Sequence, residues 1–212
     1  MVIAIDGPAG AGKSTVAKGV AKALDFTYLD SGAMYRAVAL AALERGIDPD
    51  DGERLGELAW DLDIDFEGDT IRLGGKPVEG RIRTPEVTIT SSRVSVHPQV
   101  RQAMVKRQRE LIAAGNYVAE GRDIGTVVSP DSPLKVFMTA DETERARRRA
   151  ADSGEPVDEV RRAIQDRDRR DQERADSPLR EAEGAFYIDT TELTPDQVVA
   201  EIAARARERG LA

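Results

Sequence analysis

Short apolar runs alternate along this chain with longer stretches in which apolar residues recur at every third or fourth position. The runs are short enough to form buried strands, and they are VIAID at residues 2–6, FTYLDSG at 26–32, YVAEGRD at 117–123, LKVFMTA at 134–140 and AFYIDTT at 185–191. The periodic stretches predict helices at 13–24, 33–46, 52–61, 97–115 and 142–174, and after 194. Strands that alternate with helices form a mostly parallel sheet covered on both faces. We therefore predict an α/β fold with a five-stranded parallel sheet flanked by helices.

Three of these elements give more detailed expectations. The helix at 97–115 is predicted to bury a stripe formed by Val100, Met104 and Leu111. The arginine-rich helical segment begins after Asp141, and the spacing of Asp141 and Glu144 predicts a capping box at its start. The run at 26–32 is predicted to be a strand that ends in a turn.

One stretch breaks the alternation of strands and helices. In LDIDFEGDTIRLGGKPVEGRI, which begins at residue 62, apolar and polar residues alternate and are interrupted by glycine-containing turns. This pattern predicts a small antiparallel meander. We therefore divide the single chain, 1–212, into a core at approximately 1–60, 98–140 and 175–212, an insert at 61–97 and an arginine-rich segment at 141–174.

The composition narrows the class of protein. The chain has 212 residues, 40% hydrophobic and 33% charged, a net charge of −8 and a pI near 4.9, which argues against broad nucleic-acid binding. It has no cysteine and one histidine, His97, which we interpret as structural. The sequence shows neither an apolar run of membrane-spanning length nor a signal peptide. We expect a cytosolic protein, most simply a monomer, with no nucleic-acid or membrane partner.

The stretch GPAGAGKST follows the first predicted strand and opens the first predicted helix. It matches G-x-x-x-x-G-K-[ST] at every fixed position, and this is the context in which that motif binds the phosphates of a nucleotide. Its glycines let backbone N–H groups curl around a phosphate, and the helix N-terminus adds partial positive charge. An ordinary glycine-rich turn would not need the lysine and serine. The predicted ATP-binding residues are Gly7, Pro8, Ala9, Gly10, Ala11, Gly12, Lys13, Ser14 and Thr15, with the Ser14 hydroxyl as a ligand of Mg²⁺.

This loop predicts a nucleoside triphosphate site without identifying the acceptor. A GTPase would carry Asn-Lys-x-Asp, but the only asparagine is Asn116, which is followed by Tyr117. A transporter-type ATPase would be larger and would carry its own signature. A small chain with a phosphate-binding loop and few other catalytic elements favours a kinase that acts on a small molecule.

Further charged residues follow the second and third predicted strands. Asp30, Ser31 and Arg36 come after the second strand, and Arg122 and Asp123 come after the third. The carboxyl ends of parallel strands form the ligand-binding edge of an open sheet. Two arginines there can grip a phosphate dianion through paired hydrogen bonds, whereas a single arginine is more often a solvated surface charge.

The segment from Arg145 to Arg174 contains ten arginines in a protein of net negative charge. Many of them can form pairs along a solvated helix, such as Arg167 with Asp171. A lid that closes over ATP also needs cations to neutralise the transferred phosphoryl group. We interpret the segment as a charged lid in which a few arginines face the phosphates, with DSGEP at 152–156 as a tip between two helices.

Five motifs together resemble one known family. IDGPAGAGKST, LDSGAMYR, IRTPEV, GRDIGT and DRDRRDQERADSPL occur in the order seen in bacterial cytidylate kinases, over almost the whole chain. The resemblance implies a nucleoside monophosphate kinase that transfers phosphate from ATP to CMP or dCMP with Mg²⁺. It also implies that the insert at 61–97 belongs to the nucleoside monophosphate-binding region and that the segment at 141–174 is the lid.

The resemblance also implies roles for individual residues. Ser31, Arg36 and Arg122 match positions on the phosphate side of CMP. Ser92, Arg101 and Asp123 match positions that read cytosine. Residues expected near the sugar are Arg167 and Asp171. The residues expected to be catalytic are Lys13, Arg122 and Arg174, and Arg148 is a candidate for the ATP contact of the lid.

Two alternatives remain open from the sequence. A kinase with the same core could act on UMP, AMP or an alcohol, and a substrate panel would separate it from a CMP kinase. A regulator could use the loop as a nucleotide switch, and it would bind ATP without transferring phosphate.

Overall fold

The computed structural model describes residues 1–211, which fall into two compact units. The larger unit comprises residues 1–29 and 115–211, and the smaller unit comprises residues 30–114. The smaller unit therefore extends beyond the predicted insert, 61–97, at both ends. It does so because three helices that we predicted to belong to the core pack within the smaller unit. The functional assignment of the insert and lid remains a prediction.

The helices and strands are given in chain order. They are β1 Val2–Asp6, α1 Lys13–Leu24, β2 Thr27–Asp30, α2 Ser31–Glu44, α3 Gly52–Asp61, β3 Ile64–Glu67, β4 Thr70–Leu73, β5 Lys76–Pro77, α4 Pro85–Val94, α5 Pro98–Ile112, β6 Tyr117–Gly121, β7 Leu134–Thr139, α6 Glu142–Ser153, α7 Val157–Glu173, β8 Phe186–Asp189 and α8 Pro195–Glu208. A short 3₁₀ turn at Arg81–Arg83 precedes α4, and a π-helical turn at Ile124–Val128 follows β6.

The larger unit is built on the five-stranded parallel sheet, with the strand order β2-β6-β1-β7-β8. β1 is the central strand and pairs in parallel with β6 on one side and β7 on the other. Ile3 and Ile5 face the same side of the sheet, where they pack with Val16 of α1 and Ile202 of α8. The predicted fold class is therefore confirmed, and both β1 and β6 end at the edge where the phosphate-binding loop and Arg122 begin.

The smaller unit combines helices with the predicted meander. β3, β4 and β5 form an antiparallel three-stranded sheet, with Ile64 opposite Leu73 and Glu67 opposite Thr70. Helix α2 packs on α4, and α3 packs on α5. No helix formed by residues 1–211 is long and apolar enough to cross a membrane.

The structure corrects three local expectations. The second strand leads directly into α2 without a turn, because Asp30 caps the helix by accepting a hydrogen bond from Ala33 N at 2.8 Å. The capping box at the start of α6 is half formed: Asp141 accepts from Glu144 N at 3.3 Å, but the Glu144 carboxylate accepts from Arg147 and Arg148.

The third correction concerns the end of α5. Its buried face ends on Ile112, while the predicted Leu111 is half-exposed. Val100 and Met104 are buried as predicted, so the correction concerns only the last member of the stripe, which is Ile112 in place of Leu111.

Candidate functional site

The phosphate-binding loop links β1 to α1 at the carboxyl end of the sheet. Gly7 has a φ of 152°, and a Cβ added there would lie 1.9 Å from the carbonyl oxygen of Met138 on β7. Gly10 has a φ of 77°, and an added Cβ would lie 2.9 Å from the carbonyl oxygen of Arg145. Both positions therefore require glycine, because the backbone of a neighbouring element occupies the space that a side chain would need.

Lys13 lies within this loop and is only 5% exposed. Its ammonium group donates to the carbonyl oxygen of Pro8 at 2.8 Å. Burial, assisted by the positive charge of Arg122, lowers the pKa of Lys13 from 10.5 to about 7. Nearby carboxylates, including that of Glu120, oppose this shift. A triphosphate bound to the loop would reverse it, because an adjacent anion favours the charged ammonium form.

Asp6 connects the end of β1 with the turn that follows β6. Its buried carboxylate accepts from Ile124 N at 2.8 Å and from Gly125 N at 2.7 Å. Burial raises the pKa of Asp6 to about 7, against the effect of the two backbone hydrogen bonds. Asp6 therefore fixes the turn directly after Asp123 relative to the strand that carries the phosphate-binding loop.

Three arginines gather around the buried carboxylate of Asp171. Arg122 Nε donates to Asp171 Oδ2 at 2.9 Å, and Arg174 Nη1 lies 3.5 Å from Asp171 Oδ1. Arg167 Nε lies 4.0 Å from Asp171 Oδ2, and Arg174 Nη2 is 3.9 Å from Asp123 Oδ1. The structure thus brings together five predicted site residues, from the loop after β6 and the last turns of α7.

The charges in this group support one another. Burial disfavours the charged forms of both Asp171 and Arg122, yet the arginines hold the pKa of Asp171 below its ordinary value. The Asp171 carboxylate in turn raises the pKa of Arg122. Asp171 and Arg122 therefore remain ionised at neutral pH, and their hydrogen bond orients Arg122.

Arg148, the predicted ATP contact, lies close to the phosphate-binding loop. Its guanidinium donates to the carbonyl oxygen of Thr190 at 2.7 Å, to Thr190 Oγ1 at 3.1 Å and to Glu144 Oε1 at 2.8 Å. A Cβ added to Gly12 would lie 4.0 Å from Arg148 Nη1. Arg148 is thus held beside the loop, and contact with ATP remains a prediction for it.

In the smaller unit, two of the predicted phosphate-side residues lie at the start of α2. Ser31 is the first residue of that helix and is buried. Arg36 Nη2 donates to Asp30 Oδ2 at 2.8 Å, so the cap of the helix also orients the arginine. The positive end of a helix and a fixed guanidinium are both suited to an anion.

The predicted base-reading residues of the smaller unit are also buried. Arg101 on α5 is 1% exposed, donates to the carbonyl oxygen of Ser95 at 3.3 Å and lies over the ring of Tyr35 at 5.4 Å. The Ser92 side chain on α4 is buried, and its oxygen has no hydrogen-bond partner within residues 1–211. A buried hydroxyl without a partner is costly, and a ligand that hydrogen-bonds to it would relieve that cost.

The donor set fits Mg²⁺ bound together with a nucleotide. No group of three or more histidine, aspartate or glutamate side chains in residues 1–211 could hold a metal ion. Mg²⁺ usually keeps several waters and takes one or two protein oxygens with phosphate oxygens. Ser14 stands exposed in the first turn of α1, beside Lys13, and can supply such an oxygen.

Sequence reasoning missed several polar residues around the loop. Asp6, Glu120, Arg145 and Asp168 are buried charged residues of the larger unit that we did not predict. Asp6 could have been suspected, since a carboxylate directly before the loop motif has to find a buried partner. Arg145 and Asp168 carried no such signal among so many neighbouring charges.

Comparisons with known proteins agree with these features. A family model described as cytidylate kinase matches residues 3–208. The chain is 51% identical to the cytidylate kinase of Exiguobacterium sibiricum, with 94% of each chain covered, and 48% identical to that of Limosilactobacillus reuteri, with 95% of this chain and 92% of the relative covered. A gluconokinase structure from Sinorhizobium meliloti is similar in fold, with a TM-score of 0.55 at 14% identity, covering 99% of this chain and 93% of that one.

Proposed function

Because this chain belongs to the cytidylate kinase family, we propose that it transfers the γ-phosphoryl group of ATP to CMP, giving ADP and CDP. The proposal extends to dCMP as an acceptor and to Mg²⁺ as the companion of ATP. It also includes a monomeric state and a cytosolic location. The family membership predicted from the five motifs is confirmed by the comparisons.

The proposal rests on one geometric observation. A complete phosphate-binding loop follows β1, and Arg122 follows the adjacent strand β6 of the same unit, where Asp171 of α7 joins Arg122 to Arg174. The charge of Arg122 acts directly on Lys13 and lowers its pKa. This is the arrangement that phosphoryl transfer between two phosphates requires, because both reactants are anions.

The acceptor phosphate is already a nucleophilic anion and needs no strong base. Catalysis therefore consists of positioning the two phosphates and neutralising the negative charges through which they repel each other. In this proposal Lys13 contacts the terminal phosphates of ATP, while Arg122 and Arg174 hold the acceptor and the transferred group. Their burial supports these roles, because a charge in a site that excludes water acts more strongly on a neighbouring phosphate.

Magnesium would be held through the Ser14 hydroxyl and the phosphate oxygens of ATP. When bound, it neutralises charge on those oxygens and fixes their orientation. The chain's own contribution is the position of Ser14, which follows Lys13 on the first turn of α1.

The base would be recognised by its hydrogen-bonding pattern. Cytosine presents an N4 amino donor beside the N3 and O2 acceptors. Arg101 can donate to N3 and O2, and the oxygens of Ser92 and Asp123 can accept from N4. Uracil places an acceptor at O4 and a donor at N3, so that UMP would leave buried polar groups unpaired. The roles of Ser31, Arg36, Arg167, Asp171 and Arg148 stay as the resemblance implies.

The test is an assay of ADP release with Mg-ATP against CMP, dCMP, UMP, AMP and GMP. We expect strong turnover of CMP and dCMP and weak turnover of UMP. Turnover of a different monophosphate would keep the role of Lys13 but overturn the base-reading roles of Ser92, Arg101 and Asp123. Binding of ATP without turnover of any acceptor would favour a nucleotide-dependent regulator.

A further inference from the structure

The third residue of the phosphate-binding loop, Ala9, is held by two side chains of the arginine-rich helices. Arg145 on α6 donates from Nη1 to the carbonyl oxygen of Ala9 at 2.8 Å. The N–H of Ala9 donates to Asp168 Oδ1 on α7 at 3.0 Å. Arg145 and Asp168 also form an ion pair with each other. A single pair of side chains therefore binds both polar groups of one loop residue.

The contact is buried and surrounded by close packing. Arg145 is 9% exposed and Asp168 is 8% exposed. Arg145 Nε makes a further hydrogen bond to the carbonyl oxygen of Ala140 at 3.1 Å. The methyl group of Ala9 packs into a small apolar cluster with Ala146, Ala150, Val160 and Ile164. A buried ion pair is costly unless its remaining donors and acceptors are satisfied, and the loop residue supplies one donor and one acceptor.

Arg145 is one of three side chains that donate hydrogen bonds to carbonyl oxygens of the loop. The carbonyl oxygen of Pro8 accepts from Lys13, that of Ala9 accepts from Arg145, and that of Ala11 accepts from Thr190 at 3.3 Å. A carbonyl oxygen facing the ligand would repel a phosphate, whereas backbone N–H groups attract it. Three carbonyl groups of the loop are thus bound to protein donors.

The buried face of α7 connects this contact with the arginines around Asp171. That face consists of Val160, Ile164, Asp168 and Asp171. Asp168 binds Ala9, and Asp171, three residues further along, binds Arg122. One rigid helix therefore sets the position of the loop and the position of an arginine at the end of β6.

We propose that Asp168 and Arg145 are positioning residues for ATP. They hold the Ala9 peptide in the orientation that prepares the loop for a triphosphate, and they act through the loop without touching the substrate. This inference rests on the proposed function, since it assigns the loop to ATP. It adds to the reaction two residues that are part of neither the loop motif nor the arginines around Asp171.

The test compares Asp168→Asn with Asp166→Asn. Asparagine in place of Asp168 can still accept the hydrogen bond from Ala9 N through its amide oxygen. It removes the negative charge that pairs with Arg145, however, and its NH2 group would face the guanidinium, which is also a donor. Asp166 lies on the same helix, is exposed and pairs with Arg169 at 2.8 Å, so it is the matched control. Calorimetry with Mg-ATP alone and with CMP alone would give each dissociation constant separately.

We expect Asp168→Asn to raise the dissociation constant of ATP by about tenfold or more, a loss of about 1.4 kcal/mol. The dissociation constant of CMP and both constants of Asp166→Asn should stay within about twofold of the wild type. An unchanged ATP affinity in a folded Asp168→Asn variant would overturn the proposal. An equal loss of ATP and CMP affinity would also overturn it, because general loosening of the fold gives that result.

Two further measurements keep the test decisive. If Asp168→Asn does not fold, Asp168→Glu keeps the charge and displaces the carboxylate by one methylene, and the same selective loss of ATP affinity is expected. Normal ATP affinity in that variant would contradict the proposal. If the wild type binds ATP but phosphorylates no nucleoside monophosphate, the proposed function fails, while ATP binding by the variants still tests the positioning role.

Discussion

Replacing Lys13 by methionine should stabilise the ligand-free protein while it abolishes phosphoryl transfer. Methionine has a similar length and no charge, so it can fill the same space in the loop. The ammonium group of Lys13 is buried, and burial is the main reason that its pKa falls from 10.5 to about 7. The charged form of Lys13 is therefore less stable in the folded protein than in the unfolded chain, where water solvates it.

The magnitude follows from this change in pKa. Each tenfold change in the ionisation constant is worth about 1.4 kcal/mol, so the charged ammonium costs the folded state about 5 kcal/mol at pH 6. Methionine cannot donate to the buried carbonyl oxygen of Pro8, which costs about 1–3 kcal/mol. The balance predicts that the free energy of unfolding of Lys13→Met exceeds that of the wild type by about 3 kcal/mol at pH 6.

The pH dependence has a definite sign. The pKa of Lys13 is lower in the folded than in the unfolded state, so its contribution to stability is present above pH 10.5 and is lost as the pH falls to about 7. The difference in the free energy of unfolding between Lys13→Met and the wild type should therefore decrease by about 3 kcal/mol between pH 6 and pH 9.

The assay is urea denaturation of both proteins at these two pH values. Lys22→Met, at an exposed position on the same helix, is the control and should show no such dependence. A Lys13→Met variant that is less stable than the wild type at pH 6, or a difference that does not change with pH, would refute the reasoning.

Three other predictions follow from the site. Binding of Mg-ATP at pH 8 should take up most of one proton at Lys13, because burial lowers the pKa of this group in the free protein to about 7 and the triphosphate restores its charge; calorimetry in two buffers measures the uptake, and an uptake near zero would contradict it. Asp6→Asn should lower the free energy of unfolding by about 2–3 kcal/mol and reduce kcat, because asparagine cannot accept both backbone hydrogen bonds near Arg122; denaturation and steady-state kinetics test this, and unchanged stability would count against it. Arg101→Lys should reduce the preference for CMP over UMP by about tenfold or more, since lysine cannot donate two parallel hydrogen bonds; the ratio of kcat/KM values is the measurement, Arg109→Lys is the exposed control, and an intact preference would remove Arg101 from base recognition.

Much of the larger unit could be predicted because its signals are local. The apolar run before GPAGAGKST and the spacing of Val16, Val20 and Leu24 are visible in the sequence, and the structure places β1 and α1 there. In the smaller unit, the meander at 64–77 could also be predicted, because its turns contain glycine and apolar and polar residues alternate along its strands.

Helix α4, which carries Ser92, was not predicted. Its sequence, PEVTITSSRV, is rich in β-branched and hydroxyl side chains and has no clear apolar stripe, so tertiary packing decides its conformation. A signal did exist: Thr84 before Pro85 is a typical helix start, and Thr84 does accept from Val87 N.

The buried ion pairs Arg122–Asp171 and Arg145–Asp168 could not be predicted, because each joins residues far apart in the chain. Arg145 and Arg147 lie on the same turn of α6 and are chemically identical, yet Arg145 is buried against the loop and Arg147 pairs with Glu144 in solvent. Only the packing of α6 on the loop distinguishes them. The same holds for Asp168 and Asp166 on α7.

The position of Asp171 among three arginines has a consequence for selectivity against small ions. Because these guanidinium groups already have a counter-ion, an incoming anion must compete with a carboxylate that is permanently attached and correctly placed. Free inorganic phosphate or sulfate, with only a few contacts, gains little from this exchange of partners. Under the proposed function a nucleotide would gain more, because its sugar and base would make contacts of their own. We therefore expect the internal carboxylate to keep these arginines from being occupied by small anions.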